Sequence, residues 1–257
     1  MPSGAETTAA ARRWRPRGLA AALLAALVLA AGCLEDPPEP PPVEAGAATP
    51  APAAAPGEPL RAETIERLAR EVTLRVRNLG CGGLATGSAV AIGEDLLVTN
   101  RHVIEGADRL EVTTWDGRTL TVEVAKAATT HDIAVAEVAG GLPDAAAVAT
   151  GDVEAGAEVL VAGYPRGGAL SIAEGRVTRR TEDLLFGAEA GALALDVEVR
   201  PGNSGGPVLD TDGRLVGVVY AYAQDDGRGF AVPVSALREA LEAGEALVDV
   251  PDCPPGA

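Results

Sequence analysis

Aromatic side chains are nearly missing from this chain: two tryptophans, three tyrosines and two phenylalanines, 3% of 257 residues. A core without rings has to be filled by aliphatic groups, and apolar residues at 47% supply enough of them for one large or two small domains. Histidine is scarcer still. Any chemistry that needs an imidazole must use His102 or His131. Three cysteines, Cys33, Cys81 and Cys253, have no histidine pair beside them and are too few for a zinc site, so neither metal nor cofactor is expected. Positive charge is also short. Twenty-one Lys and Arg stand against 37 Asp and Glu, a net charge of −16 that would repel a phosphate backbone, and nucleic acid is excluded as a partner. The acidity reads instead as a solubilising surface. The longest apolar run, Gly18 to Ala31, is too short for a comfortable membrane-spanning helix.

What the chain does contain is the turn Arg200-Pro201-Gly202-Asn203-Ser204-Gly205-Gly206-Pro207, set between apolar runs. A serine hydroxyl is a poor nucleophile unless an exposed turn, a base and amide donors surround it. Gly202 lets its own amide and that of Ser204 face one hollow with no β-carbon in the way. Taken alone, the segment is equally a Gly/Asn hairpin turn. Two more stretches remove that reading. His102 follows the apolar strand Leu97-Val98-Thr99, and Asp132 opens Asp132-Ile133-Ala134-Val135 at the lip of another. His131, next to Asp132, alternates to the opposite face of an extended strand and reads as a surface neighbour.

The order His102, Asp132, Ser204, each at a strand end, is that of the chymotrypsin triad and differs from the subtilisin and α/β-hydrolase orders. Asn-x-His-Val, His-Asp-Ile-Ala-Val and Gly-Asn-Ser-Gly-Gly-Pro together resemble the trypsin-like serine peptidases, in the bacterial HtrA-type branch, from about Val72 to Ala243. The resemblance implies an all-β chymotrypsin-like fold of two antiparallel six-stranded β-barrels with a C-terminal helix. It implies a serine endopeptidase with His102, Asp132 and Ser204 as triad and the Gly202 and Ser204 amides as oxyanion donors.

Strand signals agree in number. A helix carrying Ile65, Leu68 and Val72 leads into six strands between about 72 and 140, with a hairpin at Trp115-Asp116-Gly117-Arg118. Six more fall between about 145 and 233, and Ser235 caps a helix over 235–244 whose Leu237 and Leu241 share a face. HtrA-type enzymes usually add a PDZ domain; here about fourteen residues follow the helix, and none is expected.

Specificity is open on the sequence. By position Glu198 would select basic side chains, or else share a solvated strand face with Asp196; Phe230 near the pocket base would favour small aliphatic ones. Tyr220 and Tyr222 share a strand face that the family uses to wall the substrate channel, core packing being the alternative. A gating loop between Thr178 and Ala190 is compatible with the sequence. Where the digestive enzymes carry aspartate before the serine, Asn203 is neutral, so no buried charge awaits a new N-terminus.

Residues 1–32 read as an export signal, with Arg12, Arg13, Arg15 and Arg17 ahead of the apolar run. Leu29-Ala30-Ala31-Gly32-Cys33 resembles a bacterial lipobox, with Ala30 where leucine is usual, and implies lipidation of Cys33 and a membrane anchor in the cell envelope. The alternatives are simple cleavage and secretion, or an uncleaved anchor. Residues 33–59, with nine prolines in Glu35 to Pro59, form a disordered tether of about 75 Å reach, and the peptidase domain spans 60–257. With Cys33 lipidated, Cys81 and Cys253 remain. A disulfide between them, a placement that resembles the MarP-like periplasmic proteases, would close a loop of about 170 residues worth ~4–5 kcal/mol. Unpaired thiols or an intermolecular bond are the alternatives. Partners follow from these expectations: protein or peptide substrates, and a membrane through the lipid. Two readings compete with the endopeptidase: a non-catalytic scaffold lipoprotein on the same fold, and an esterase with the same machinery.

Overall fold

The computed structural model describes residues 62–80, 83–186, 191–242 and 247–250. The export signal, the tether, Cys33, Cys81 and Cys253 lie outside the described residues. The chain enters through α1 (Ala62–Val72), which buries Ile65, Ala69 and Val72 and pairs Arg67 with Glu71 one turn on along its exposed side. The order that follows is β1 (Thr73–Gly80), β2 (Gly83–Ala91), β3 (Leu96–Thr99), α2 (Arg101–Ile104), β4 (Ala107–Thr113), β5 (Thr119–Ala128) and β6 (Ala134–Val138). These strands run antiparallel in the order β5-β4-β1-β2-β3-β6, and a β5–β6 pairing closes the ring.

The second ring is built from β7 (Glu158–Gly163), β8 (Ser171–Thr181), β9 (Ala192–Glu198), β10 (Pro207–Leu209), β11 (Leu215–Tyr222) and β12 (Arg228–Pro233). It closes in the order β10-β11-β12-β9-β8-β7. The fold is therefore two closed six-stranded antiparallel barrels. Helix α3 (Val234–Glu242) and the short β13 (Leu247–Asp249) follow, and β13 adds itself to β5 of the first barrel.

Packing follows the same division. Leu74, Val76, Leu97, Ile104 and Val112 fill the first barrel; Val161, Leu193, Leu195, Val208 and Val219 fill the second. A further cluster runs between them, joining Val90, Val98 and Ile133 to Leu160, Leu209, Val218, Tyr220 and Leu237. Alternation along each closed strand makes this possible, since one face lines a barrel and the other meets its neighbour.

Three expectations are corrected. Ser235 lies within α3, and its amide and hydroxyl donate to the Asp152 carboxylate at 2.8 and 2.7 Å rather than capping the helix. Leu241, one turn on from Leu237 on the same helix face, is exposed near the end of α3 rather than buried with it. The short β13 carries no strand-length signal of its own and exists because β5 offers an edge.

Candidate active site

Two strand registers decide the site. β3 and β6 are antiparallel neighbours with Thr99 opposite Ala134, so the chain leaving β3 and the chain entering β6 lie side by side. His102 is on the single-turn helix α2 that follows β3, not on the strand itself, and Asp132 sits in the bend before β6. Their meeting is close: His102 Nδ1 is 2.5 Å from Asp132 Oδ2, and the His102 amide donates to Asp132 Oδ1 at 3.1 Å. The carboxylate is 2% exposed, whereas the imidazole is 44% exposed on its outer side. Asn100, buried, donates through Nδ2 to the Asp132 carbonyl at 2.7 Å and fixes the bend. His131 departs from expectation. It is 7% exposed, with Nδ1 3.0 Å from the Thr130 hydroxyl, because residues 129–132 are a bend to which strand alternation does not apply.

The second register pairs β7 with β10, with Val161 opposite Val208. It sets the hook after β7, Tyr164 to Gly168, against the turn before β10, Arg200 to Gly206. Within that turn the Asn203, Gly205 and Gly206 amides are committed, to the carbonyls of Arg200, Val219 and Asn203 at 3.0, 2.7 and 2.9 Å. Among the described residues the amides of Gly202 and Ser204 donate to no acceptor. Gly202 has φ +99°, and a β-carbon there would lie 2.4 Å from the Arg166 nitrogen and 2.5 Å from the Tyr164 oxygen. Only glycine fits.

The two halves converge on β2. A β-carbon at Gly87 would meet the Val103 side chain at 2.6 Å and the Ser204 carbonyl at 3.3 Å, so the residue after His102 and the turn that carries Ser204 flank one glycine. The Ser204 hydroxyl makes no hydrogen bond to a described residue; such contacts commonly tighten only with substrate in place. Asn203 is 6% exposed, its Oδ1 buried with no hydrogen-bond partner among the described residues. A full negative charge could not be held there.

The remaining residues scatter. Tyr220 is 3% exposed, and its hydroxyl accepts the Leu184 amide at 3.1 Å. Burial pushes its pKa up to about 12 against the Leu184 bond, with the Asp183 and Asp132 carboxylates adding to the rise. Tyr222 is exposed, and a bulge at Tyr220 interrupts the β11–β12 register between Val219 and Ala221. Phe230 is half-buried opposite Ala194 and Ala221. Glu198 pairs with Arg200 on the surface. A cavity of ≈ 450 Å³ lies beside α1, β7 and β8, and its lining includes none of His102, Asp132 or Ser204. Sequence reasoning passed over Ser88 and Arg166, whose signals are a small polar residue before an apolar run and a residue between proline and glycine, and took Asn100 only as part of the Asn-x-His-Val motif.

Residues 87–218 match the trypsin-like peptidase domain. The chain belongs to that family. It is 32% identical over 162 residues to the serine protease Do-like HtrA of Bacillus subtilis, covering 58% of this chain and 36% of the relative. It is 33% identical over 162 residues to a probable periplasmic serine endoprotease, DegP-like, of Halomonas elongata, covering 61% and 34%. The chain thus spans about a third of the length of these relatives. Among solved structures, the Rv3671c protease of M. tuberculosis in its active form superposes with a TM-score of 0.64 at 24% identity, covering 78% of this chain and 92% of that one. The HtrA-type protease AlgW with a tripeptide gives 0.63 at 26% identity, covering 71% and 64%.

Proposed function

We propose that this protein is a serine endopeptidase that cleaves peptide bonds through an acyl-enzyme. The observation that carries the reading is the pairing of the His102 Nδ1 with a buried Asp132 carboxylate while the Gly202 and Ser204 amides find no acceptor among the described residues. A carboxylate on Nδ1 keeps that nitrogen protonated and leaves Nε2 with a lone pair as base. Ser204 Oγ then bonds to the substrate carbonyl carbon as its proton passes to Nε2. The resulting oxyanion is held by the two amides. Collapse breaks the C–N bond, and Nε2 returns the proton to the leaving amine. Water repeats the sequence on the ester and frees the enzyme.

The arginine cluster and apolar run of residues 1–32 and the relatives described as periplasmic support an exported enzyme acting on envelope proteins. Residues 1–32 act as export signal, Cys33 as lipid anchor and 33–59 as tether, with Cys81 and Cys253 joined in the peptidase domain. Tyr220, Tyr222, Phe230 and Glu198 are the side chains to vary when specificity is mapped.

The test is a fluorophosphonate probe followed by peptide-library cleavage. Labelling is expected at Ser204, and Ser204→Ala should lose about 10⁶-fold in kcat with its melting temperature kept. Hydrolysis by a pure Ser204→Ala preparation, or absence of labelling in the folded wild type, refutes the assignment; the latter is the outcome for a scaffold lipoprotein.

A further inference from the structure

The turn that carries Ser204 is held in shape through its carbonyls, and half of the holding comes from one buried residue, once through its hydroxyl and once through its amide. Ser88, fully buried on β2, meets the turn twice. Its Oγ donates to the Gly202 carbonyl at 2.7 Å while accepting the Tyr164 amide at 2.8 Å, and its own amide donates to the Ser204 carbonyl at 2.8 Å. The Ser88 carbonyl in turn accepts from Thr99 Oγ1 at 2.7 Å, on the strand that leads to His102. Arg166 takes the Pro201 carbonyl at 2.6 Å, and the Gly206 amide takes that of Asn203 at 2.9 Å. All four carbonyls from Pro201 to Ser204 are therefore pinned.

In a planar trans peptide the carbonyl and the following amide point opposite ways. Pinning the Pro201 carbonyl to the hook turns the Gly202 amide away from it, and pinning the Asn203 carbonyl does the same for the Ser204 amide. Rotating either plane means breaking its neighbours' bonds as well. The hook stores some strain for this, since Arg166 holds φ 54° and ψ 26°, a left-handed conformation that a side chain resists. Arg75 of β1 steadies it from outside, donating to the Gly167 carbonyl at 3.3 Å and lying 5.7 Å from the Tyr164 ring centre.

We propose that Ser88 is a positioning residue of the oxyanion hole, acting through the Gly202 carbonyl and the Tyr164 amide without touching substrate. The proposal rests on the hydrolytic reading above. Without its hydroxyl, Gly202 O and Tyr164 N–H lose their shared partner in a dry site, and the peptide on either side of Gly202 can turn.

The experiment compares wild type, Ser88→Ala and Ser88→Thr on a peptide substrate, together with a peptide boronic acid that mimics the tetrahedral intermediate. Ser88→Ala should lower kcat about 10- to 100-fold with KM within about threefold, and weaken boronate binding in step, as expected when donors lose aim rather than when binding is lost. Ser88→Thr, which keeps the hydroxyl, should stay within about fivefold of wild-type kcat. A folded Ser88→Ala enzyme with unchanged kcat, or with its loss confined to KM, overturns the proposal. Should Ser88→Ala not fold, Ser88→Cys replaces it, and a kcat equal to that of Ser88→Thr overturns the proposal in the same way. A wild type that neither cleaves peptides nor takes the phosphonate removes the proposed function and this inference with it. An active wild type matched by Ser88→Ala removes this inference alone.

Discussion

The two barrels bring different kinds of group to the cleft. The first presents side chains: an imidazole on α2 and a carboxylate ahead of β6, joined at 2.5 Å because their strands are neighbours in register. The second presents backbone: a glycine-rich turn whose carbonyls are tied down and whose Gly202 and Ser204 amides are left over. Side-chain pairs tolerate small shifts of their supports, since rotamers adjust. A turn made of peptide planes has no such slack, and its shape depends on bonds from the hook and from the other barrel. The comparison teaches that the more common-looking half, a run of glycines, is the more constrained.

The sharpest way to break the comparison on the side-chain half is Asp132→Asn. An amide on Nδ1 reverses the histidine tautomer without changing shape, and kcat should fall about 10⁴-fold while the fold persists. Steady-state kinetics beside a melting curve check it; a loss below tenfold would mean that the carboxylate does not orient the ring. On the backbone half, Gly202→Ala puts a β-carbon 2.4 Å from the Arg166 nitrogen at φ +99°. Here kcat should fall about 10²- to 10³-fold, the worth of one oxyanion donor, and thermal stability should fall too, unlike the Asp132 variant. Equal melting temperatures for the two variants would erase the distinction drawn between the barrels.

The smallest effect is expected far from the cleft. Burial works to raise the Asp152 pKa, but the Ser235 hydroxyl and amide and the Arg180 guanidinium outweigh it and hold the carboxyl below its usual value. A carboxyl depressed in the folded state adds stability above its unfolded pKa, and that contribution disappears as pH falls through the folded value. Asp152→Asn should therefore lower the melting temperature by about 2–4 °C at pH 7, with the gap closing below about pH 4. Peptide hydrolysis at pH 7 should be unchanged. A gap that persists into acid would assign the effect to packing instead.

Much of the fold was legible from composition and punctuation. Leu96 to Thr99 and Leu215 to Tyr222 are strands over the spans their β-branched runs predict, and the hairpin at Trp115 to Arg118 closes on Gly117 in a left-handed conformation. The misses share a cause. His131 is buried because a bend replaces strand alternation, and Ser235 prefers a carboxylate distant in the chain to its own helix end. Each is a local pattern overruled by a partner far away.

From its order of residues alone, this chain determined its fold class and singled out the groups proposed to carry chemistry, His102, Asp132 and Ser204, since periodicity and turn chemistry are local. Three-dimensional folding decided how those groups are aimed. The Ser88 bonds to Gly202 and Ser204, 114 residues apart in the first case, have no signature along the chain. Their physical reason is general: a peptide plane is oriented by whatever donor or acceptor comes to lie beside it, and only the packed barrels bring that partner there.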